Sequence, residues 1–255
     1  MAGIAVVLLL LQPSSGQPAQ EREEGSGFSA WVRGEYWFVK PTGQLVITRG
    51  SRPGTGDVGH LGEDFGLERR GVPSAELGAT LGDHRLRLAY LDLHLHGSTD
   101  LDHDLIFHGE TYPAGSEVKS DLDLPRLSFG YDYNVWETSW TSTRVGLVGH
   151  IYWVAARLRS GDLDERRGYS RGIPALTASV EGRVSPFHAT LDGSLGYSES
   201  DHDFFGGARL LVGVRLWGTL DLDAGYRWER LDASAETNRV ALTIHGPEVS
   251  AALRF

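Results

Sequence analysis

From residue 27 to its end, the chain repeats with a period of two, and the second face of that repeat carries charge. In 220–228 the even positions are Leu220, Leu222, Ala224, Tyr226 and Trp228, and the odd ones are Asp221, Asp223, Gly225 and Arg227. In 208–216 every even position is apolar, and Arg209 and Arg215 lie opposite. Val145, Leu147, Gly149, Ile151 and Trp153 alternate with Arg144, Gly146, Val148, His150 and Tyr152. Side chains of a strand point alternately to its two faces, so these segments read as strands with one apolar and one polar face. A soluble sandwich alternates too. It rarely puts Asp, Arg and Glu on the second face of strand after strand while the first stays apolar and aromatic-capped. A closed sheet with lipid outside and water or salt bridges inside explains both faces.

The pattern predicts about ten strands, with 8 or 12 also compatible: 28–39, 73–82, 84–97, 117–134, 143–159, 173–185, 187–199, 205–217, 219–232 and 238–255. Each is long enough for the ~9–11 tilted residues that cross a bilayer. Short links (Gly82-Asp83, Ser185-Pro186, Gly218-Thr219 and the slightly longer 134–142) alternate with long ones at 40–72, 98–116, 160–172, 200–204 and 232–237. The second long link predicts a hairpin of its own, with 105–109 and Glu117-Val118 flanking a turn marked by Pro113 and Gly115. Three strands switch parity. Leu86, Leu88 and Tyr90 precede Leu91, Leu93 and Leu95; Leu122 and Leu124 precede Leu127, Phe129 and Tyr131; Val240, Leu242 and Ile244 precede Val249. A β-bulge would do this, and so would an outer portion that leaves the membrane and changes exposure.

After the N-terminus nothing approaches the ~18–20 apolar residues of a membrane helix. Cysteine is absent, which excludes disulfides, thiolate metal sites and cysteine nucleophiles. A net charge of −10 argues against nucleic acid. Residues 2–11 are apolar and 12–20 small and polar, so 1–19 reads as a signal peptide, 20–26 as a short N-terminal segment and 27–255 as the barrel.

The final run places Val249, Ala251, Leu253 and Phe255 on one face and ends in Phe. It resembles the terminal assembly signal of outer-membrane β-barrel proteins of Gram-negative bacteria. The leader and the asymmetry of short and long links carry the same resemblance. It implies an all-β fold, an antiparallel transmembrane barrel with both termini in the periplasm. It also implies outer-membrane lipid, lipopolysaccharide and the barrel-assembly machinery as partners. The role expected is structural or that of a narrow pore, without a cofactor; the alternatives are a surface enzyme acting on peptide or lipid and, should the barrel reading fail, a soluble periplasmic β-protein.

The candidate functional residues begin with charges on the polar faces. These are Arg33, Glu35, Glu76, Arg87, Arg126, Asp132, Glu181, Arg183, Asp192, Arg209, Arg215, Asp221, Asp223, Arg227 and Glu229. In a narrow lumen they pair, because unpaired charge away from water is costly; in a wider one they line a selective pore. Asp92, His94 and His96 share one face of a strand, which is either a weak divalent-metal motif or a solvated polar strand end. Asp100, Asp102, Asp201 and His202 occupy the second and fourth long links. There omptin-type outer-membrane proteases, also ten-stranded, carry their Asp pair and Asp/His pair, although the local omptin patterns are missing. His188 and Ser194 share a strand face and form a still weaker esterase candidate. The clusters Trp31, Tyr36 and Trp37; Phe129, Tyr131 and Tyr133; Tyr152 and Trp153; Trp217; and Tyr226 and Trp228 are expected in interfacial girdles.

Overall fold

A computed structural model describes residues 27–49, 54–198, 202–235 and 238–255. The expected leader 1–19, the expected segment 20–26 and Asp201 lie outside the described residues. The described chain is all strand: β1 (Phe28–Val46), β2 (Gly59–His60), β3 (Arg70–Leu81), β4 (His84–Leu91), β5 (His94–Asp100), β6 (Leu105–Phe107), β7 (Glu110–Tyr112), β8 (Glu117–Asp123), β9 (Arg126–Glu137), β10 (Thr141–Ser160), β11 (Leu163–Val184), β12 (Phe187–Ser198), β13 (Asp203–Leu216), β14 (Leu220–Ala235) and β15 (Asn238–Arg254).

Ten of these close an antiparallel barrel in the order β1-β3-β4-β9-β10-β11-β12-β13-β14-β15 and back to β1. The seam runs from Trp31↔Arg254 to Val46↔Arg239. Short turns and both ends of the barrel chain lie at one end, here the turn side. The long links lie at the other, the loop side.

On the loop side β5 and β8 continue β4 and β9. Pro125, which has no N–H, interrupts the ladder, but the Leu124 amide still donates to the Leu93 carbonyl at 2.8 Å. β2 pairs with β1, and Leu67 bridges Gly97 of β5, so the segment 54–69 fills the wall between β1 and β5. The β6–β7 hairpin turns at His108 and Gly109, whose φ values of 52° and 87° are both left-handed. Pro113 and Gly115, expected to form that turn, make a separate one at the hairpin's base, where the Ser116 amide donates to the Pro113 carbonyl at 3.2 Å. The expected link 160–172 is mostly strand, because β10 and β11 stay paired up to Ser160↔Leu163.

The parity switches are not bulges. Along β4 and β5 the odd positions point inward throughout: Arg85 and Arg87, then the buried Leu91, Leu93 and Leu95. Along β8 and β9 the even positions do so, from Leu122 and Leu124 to Arg126, Ser128 and Asp132. Along β15 they run from Val240, Leu242 and Ile244 to Glu248, Ser250 and Ala252, all buried. The pleat is unbroken and the chemistry inverts. The turn-side half has a charged interior and an apolar outer band that includes Leu77, Leu88, Leu147, Leu191, Leu210, Val212 and Leu222. A continuous exposed apolar surface of this kind matches a bilayer. The loop-side half has an apolar interior and a polar exterior, as a water-soluble barrel would.

Tyr36, Phe129, Tyr131, Tyr133, Trp153, Trp217, Tyr226 and Trp228 are on the outer surface, as a girdle requires. Trp31, Trp37 and Tyr152 are buried inside and belong to no girdle. Each has a polar partner that clustering in sequence could not reveal: Trp31 Nε1 donates to Glu76 at 3.0 Å, Trp37 Nε1 to the Gly246 carbonyl at 3.2 Å, and Tyr152 Oη accepts from Arg126 at 3.1 Å.

Candidate functional site: the closed lumen

Alternation in β1, β3, β4 and β9–β15 directs one charged side chain after another into a single lumen, and they pair there layer by layer. Nearest the turn side, buried Asp221 accepts from Arg215 Nε at 2.7 Å and Arg254 Nε at 2.6 Å. Asp223 meets His188 Nε2 at 2.6 Å and Ser250 Oγ at 2.9 Å. Asp132 takes Arg85 Nε at 2.9 Å, Arg87 Nε at 2.8 Å and Thr177 Oγ1 at 2.9 Å. Higher up, Arg209 bridges Glu35 at 2.6 Å and Glu248 at 2.5 Å. Glu229 receives both terminal nitrogens of Arg126, at 2.9 and 3.0 Å, and Arg227 Nε at 2.9 Å.

Bidentate arginine–carboxylate geometry and multiple donors make such buried charges tolerable. Arg126 also donates to Tyr152 Oη at 3.1 Å and lies over the Phe205 ring at 5.5 Å. This belt is where the charged half ends.

Above it the interior is mainly hydrocarbon, with Asp203 and Arg171 paired on the wall. Leu91, Leu93, Leu95, Leu122, Leu124, Val154, Ala156, Leu158, Leu231, Leu242 and Ile244 form one buried cluster, joined by Leu105, Phe107 and Tyr112 of the β6–β7 hairpin. Tyr112 Oη donates to the Leu158 carbonyl at 3.0 Å and pins the hairpin inside the barrel mouth. Space in the lumen dwindles accordingly. A cavity of about 60 Å³ lies among Arg33, Arg85, Arg144, Glu181 and His188, and one of about 130 Å³ among Ser128, His150, Ser179, Asp192 and Arg126. The next, between Leu93, Leu124, Leu231 and Leu242, is about 10 Å³. The smaller of the lower two is polar and the larger is of mixed lining, and both are large enough for water; the last is apolar and at the limit for a single water.

All the expected lumen charges are therefore inward and, apart from Asp192, paired in ion bridges. The other candidates separate. His94 is held between Asp123 (Nδ1, 2.7 Å) and Asp92 (Nε2, 2.9 Å) on the outer wall, so both ring nitrogens are engaged. His96 contacts Arg70 instead, and the trio does not converge on one point. Among the described residues no group of three or more His, Asp or Glu side chains is placed to hold a metal ion.

Hydrogen bonds to Asp123 and Asp92 raise the pKa of His94. Asp100 ends β5 opposite Glu117, Asp102 is exposed beyond it, and His202 is exposed before β13. His188 pairs with Asp223, and Ser194 lies elsewhere, on the wall of the larger cavity. The sequence reading missed the Ser128 Oγ–His150 Nδ1 contact at 2.8 Å. Only the register Ser128↔His150 creates it, and no local pattern marks it.

No family model and no curated protein matches the chain. Solved structures do. The outer membrane protease OmpT from Escherichia coli aligns with a TM-score of 0.57 and 8% identity, over 91% of this chain and 99% of that one. Neisserial surface protein A aligns with a TM-score of 0.42 and 14% identity, over 90% and 99%. Ail of Yersinia pestis aligns at 0.41 and 7%, over 89% and 99%. At these identities the likeness concerns the fold. The chain has the fold of the outer-membrane β-barrels, a closed antiparallel barrel of ten strands.

Proposed function

We propose that this chain is an outer-membrane protein of a Gram-negative bacterium that seals its own lumen and acts through its exposed loop side, not as a channel. The observation that carries this is the hydrocarbon core filling the loop-side half above the Arg126–Glu229 pair. An ion entering from the turn side meets paired charges, then an apolar layer with no room for its hydration shell. The outward face of Val249, Leu253 and Phe255 supports recognition by the barrel-assembly machinery, and the outer apolar band supports lipid and lipopolysaccharide as surroundings. Phe255→Ala is expected to lower the amount of membrane-embedded protein, read by fractionation.

The test is conductance. Purified protein in planar bilayers should give no stable channel, and large ion-selective steps would replace this reading with a pore. In parallel, casein and lipid A should remain uncleaved. Cleavage lost in Asp102→Ala or His202→Ala would replace it with a surface enzyme.

A further inference from the structure

The wall has a notch on the loop side. β11 pairs with β12 only from Ala175↔Gly196 downward, while its other edge stays paired with β10 up to Ser160↔Leu163. Among the described residues, none pairs with the second edge of Leu163–Tyr169. At the foot of the notch, Tyr169 Oη donates to the Ala233 carbonyl at 3.3 Å and Arg171 Nε to the Ser234 carbonyl at 2.7 Å, so the lumen stays shut. The free edge starts just above outward Trp153, which faces Ser170, and rises roughly 20 Å at ~3.3 Å per residue.

We infer that this edge docks an extended acidic segment of another protein, added as a further strand. A free edge offers main-chain donors and acceptors to such a segment. Three features of this edge favour an occupant over simple blunting. Arg166 stands directly across the ladder from Arg157, a like-charge pair that costs stability. Arg157 already has its carboxylate, Asp164, at 2.6 Å, whereas Arg166 and Arg167 are exposed and make no ion pair or hydrogen bond among the described residues. Gly168 is also exposed within this edge and carries no side chain to hold a second backbone off.

Consecutive residues point to opposite faces, so Arg166 and Arg167 put one cation on each. The matching segment carries two consecutive acids. The chain's own remaining residues do not fit. The stretches 50–53, 199–201 and 236–237 are shorter than the edge, and 1–26 joins the barrel at the turn side. Two copies in one membrane run β11 in the same direction, so pairing in register edge to edge would set Arg166 and Arg167 against their equivalents.

The inference rests on the proposed function for the direction the edge faces. A channel in planar bilayers would overturn that reading and leave the result below standing.

The probe is the short peptide TVTEETVT, with TVTKKTVT as control, added to the purified barrel in nanodiscs and followed by amide hydrogen exchange. At about ten times its Kd, the acidic peptide should slow alternate amides in Leu163–Tyr169 about tenfold. The basic one should not. The double variant Arg166→Glu/Arg167→Glu changes only exposed side chains and should reverse the preference. No slowing with either peptide, equal slowing with both, a preference unchanged in the double variant, or concentration-dependent protection without peptide would each overturn the inference.

Discussion

The turn-side and loop-side halves are built from the same strands and the same pleat, yet they put opposite chemistry on the same face. On β15, Val240, Leu242 and Ile244 point inward near the loops, and Glu248 and Ser250 point inward near the turns. On β4 the outward residues are Leu86, Leu88 and Tyr90, and on β5 they are His94 and His96. A sheet fixes only which residues share a side. The surrounding medium decides whether hydrocarbon belongs outside, facing lipid, or inside, away from water. One barrel thus holds a membrane segment and a water-soluble segment end to end, and the second closes the first.

The sharpest way to break this comparison is to put a charge on each face of the loop-side half. Leu242→Asp buries a carboxylate among Leu93, Leu124 and Leu231, in a cavity lined by no cationic side chain, and should cost more than ~4 kcal/mol. The heat-modifiable folded band should be lost from gels. The outward neighbour Thr243→Asp should change stability by less than ~0.5 kcal/mol.

Next comes removal of one partner of a lumen pair. Glu229→Leu strands Arg126 and should cost about 3–5 kcal/mol in urea unfolding. Adding Arg126→Met should recover most of the loss, since the pair specifies rather than drives the fold. If the double variant is no better than the single, the charged half is held by these pairs.

Third, Leu222→Arg on the apolar band should cost ~2–4 kcal/mol, and Asp223→Asn less, since its amide can still bond Ser250. Thr243→Arg, outward in the loop-side half, should be nearly neutral. The reverse ranking of Leu222→Arg and Thr243→Arg would place the band at the wrong end.

The smallest effect is electrostatic and lies outside the membrane. Asp123 and Asp92 raise the folded-state pKa of His94 above its ordinary value. The stabilisation is therefore complete below the ordinary histidine value of ~6.5 and disappears as pH rises through the raised value. The melting-temperature difference between the protein and His94→Gln should narrow as pH rises. A difference that widens with pH would contradict that sign.

Much of this was legible in the chain. Strand count, antiparallel order, loop asymmetry and the inward set of Arg209, Arg215, Asp221, Asp223, Arg227 and Glu229 all follow from a period of two. What was not legible is where the medium changes. Alternation reports relative facing, so Leu93, inward where the wall meets water, and Leu88, outward where it meets lipid, look like a slip of register. The upper part of β11 has no strand signature in the sequence, because Asp164-Glu-Arg-Arg167 is charged on both faces, which a strand in water permits. The cross-lumen partners, such as Arg126–Glu229, depend on closure and have no local signature.

Because the chain has no cysteine, single-cysteine spin labels along β15 can read the medium residue by residue. In nanodiscs, labels at 249, 251 and 253 should be accessible to oxygen, those at 241 and 243 to an aqueous nickel chelate, and those at 242 and 244 to neither. Oxygen-accessible labels at 242 and 244 would mean that the strand slips by one residue and that the loop-side lumen is not closed by a hydrocarbon core.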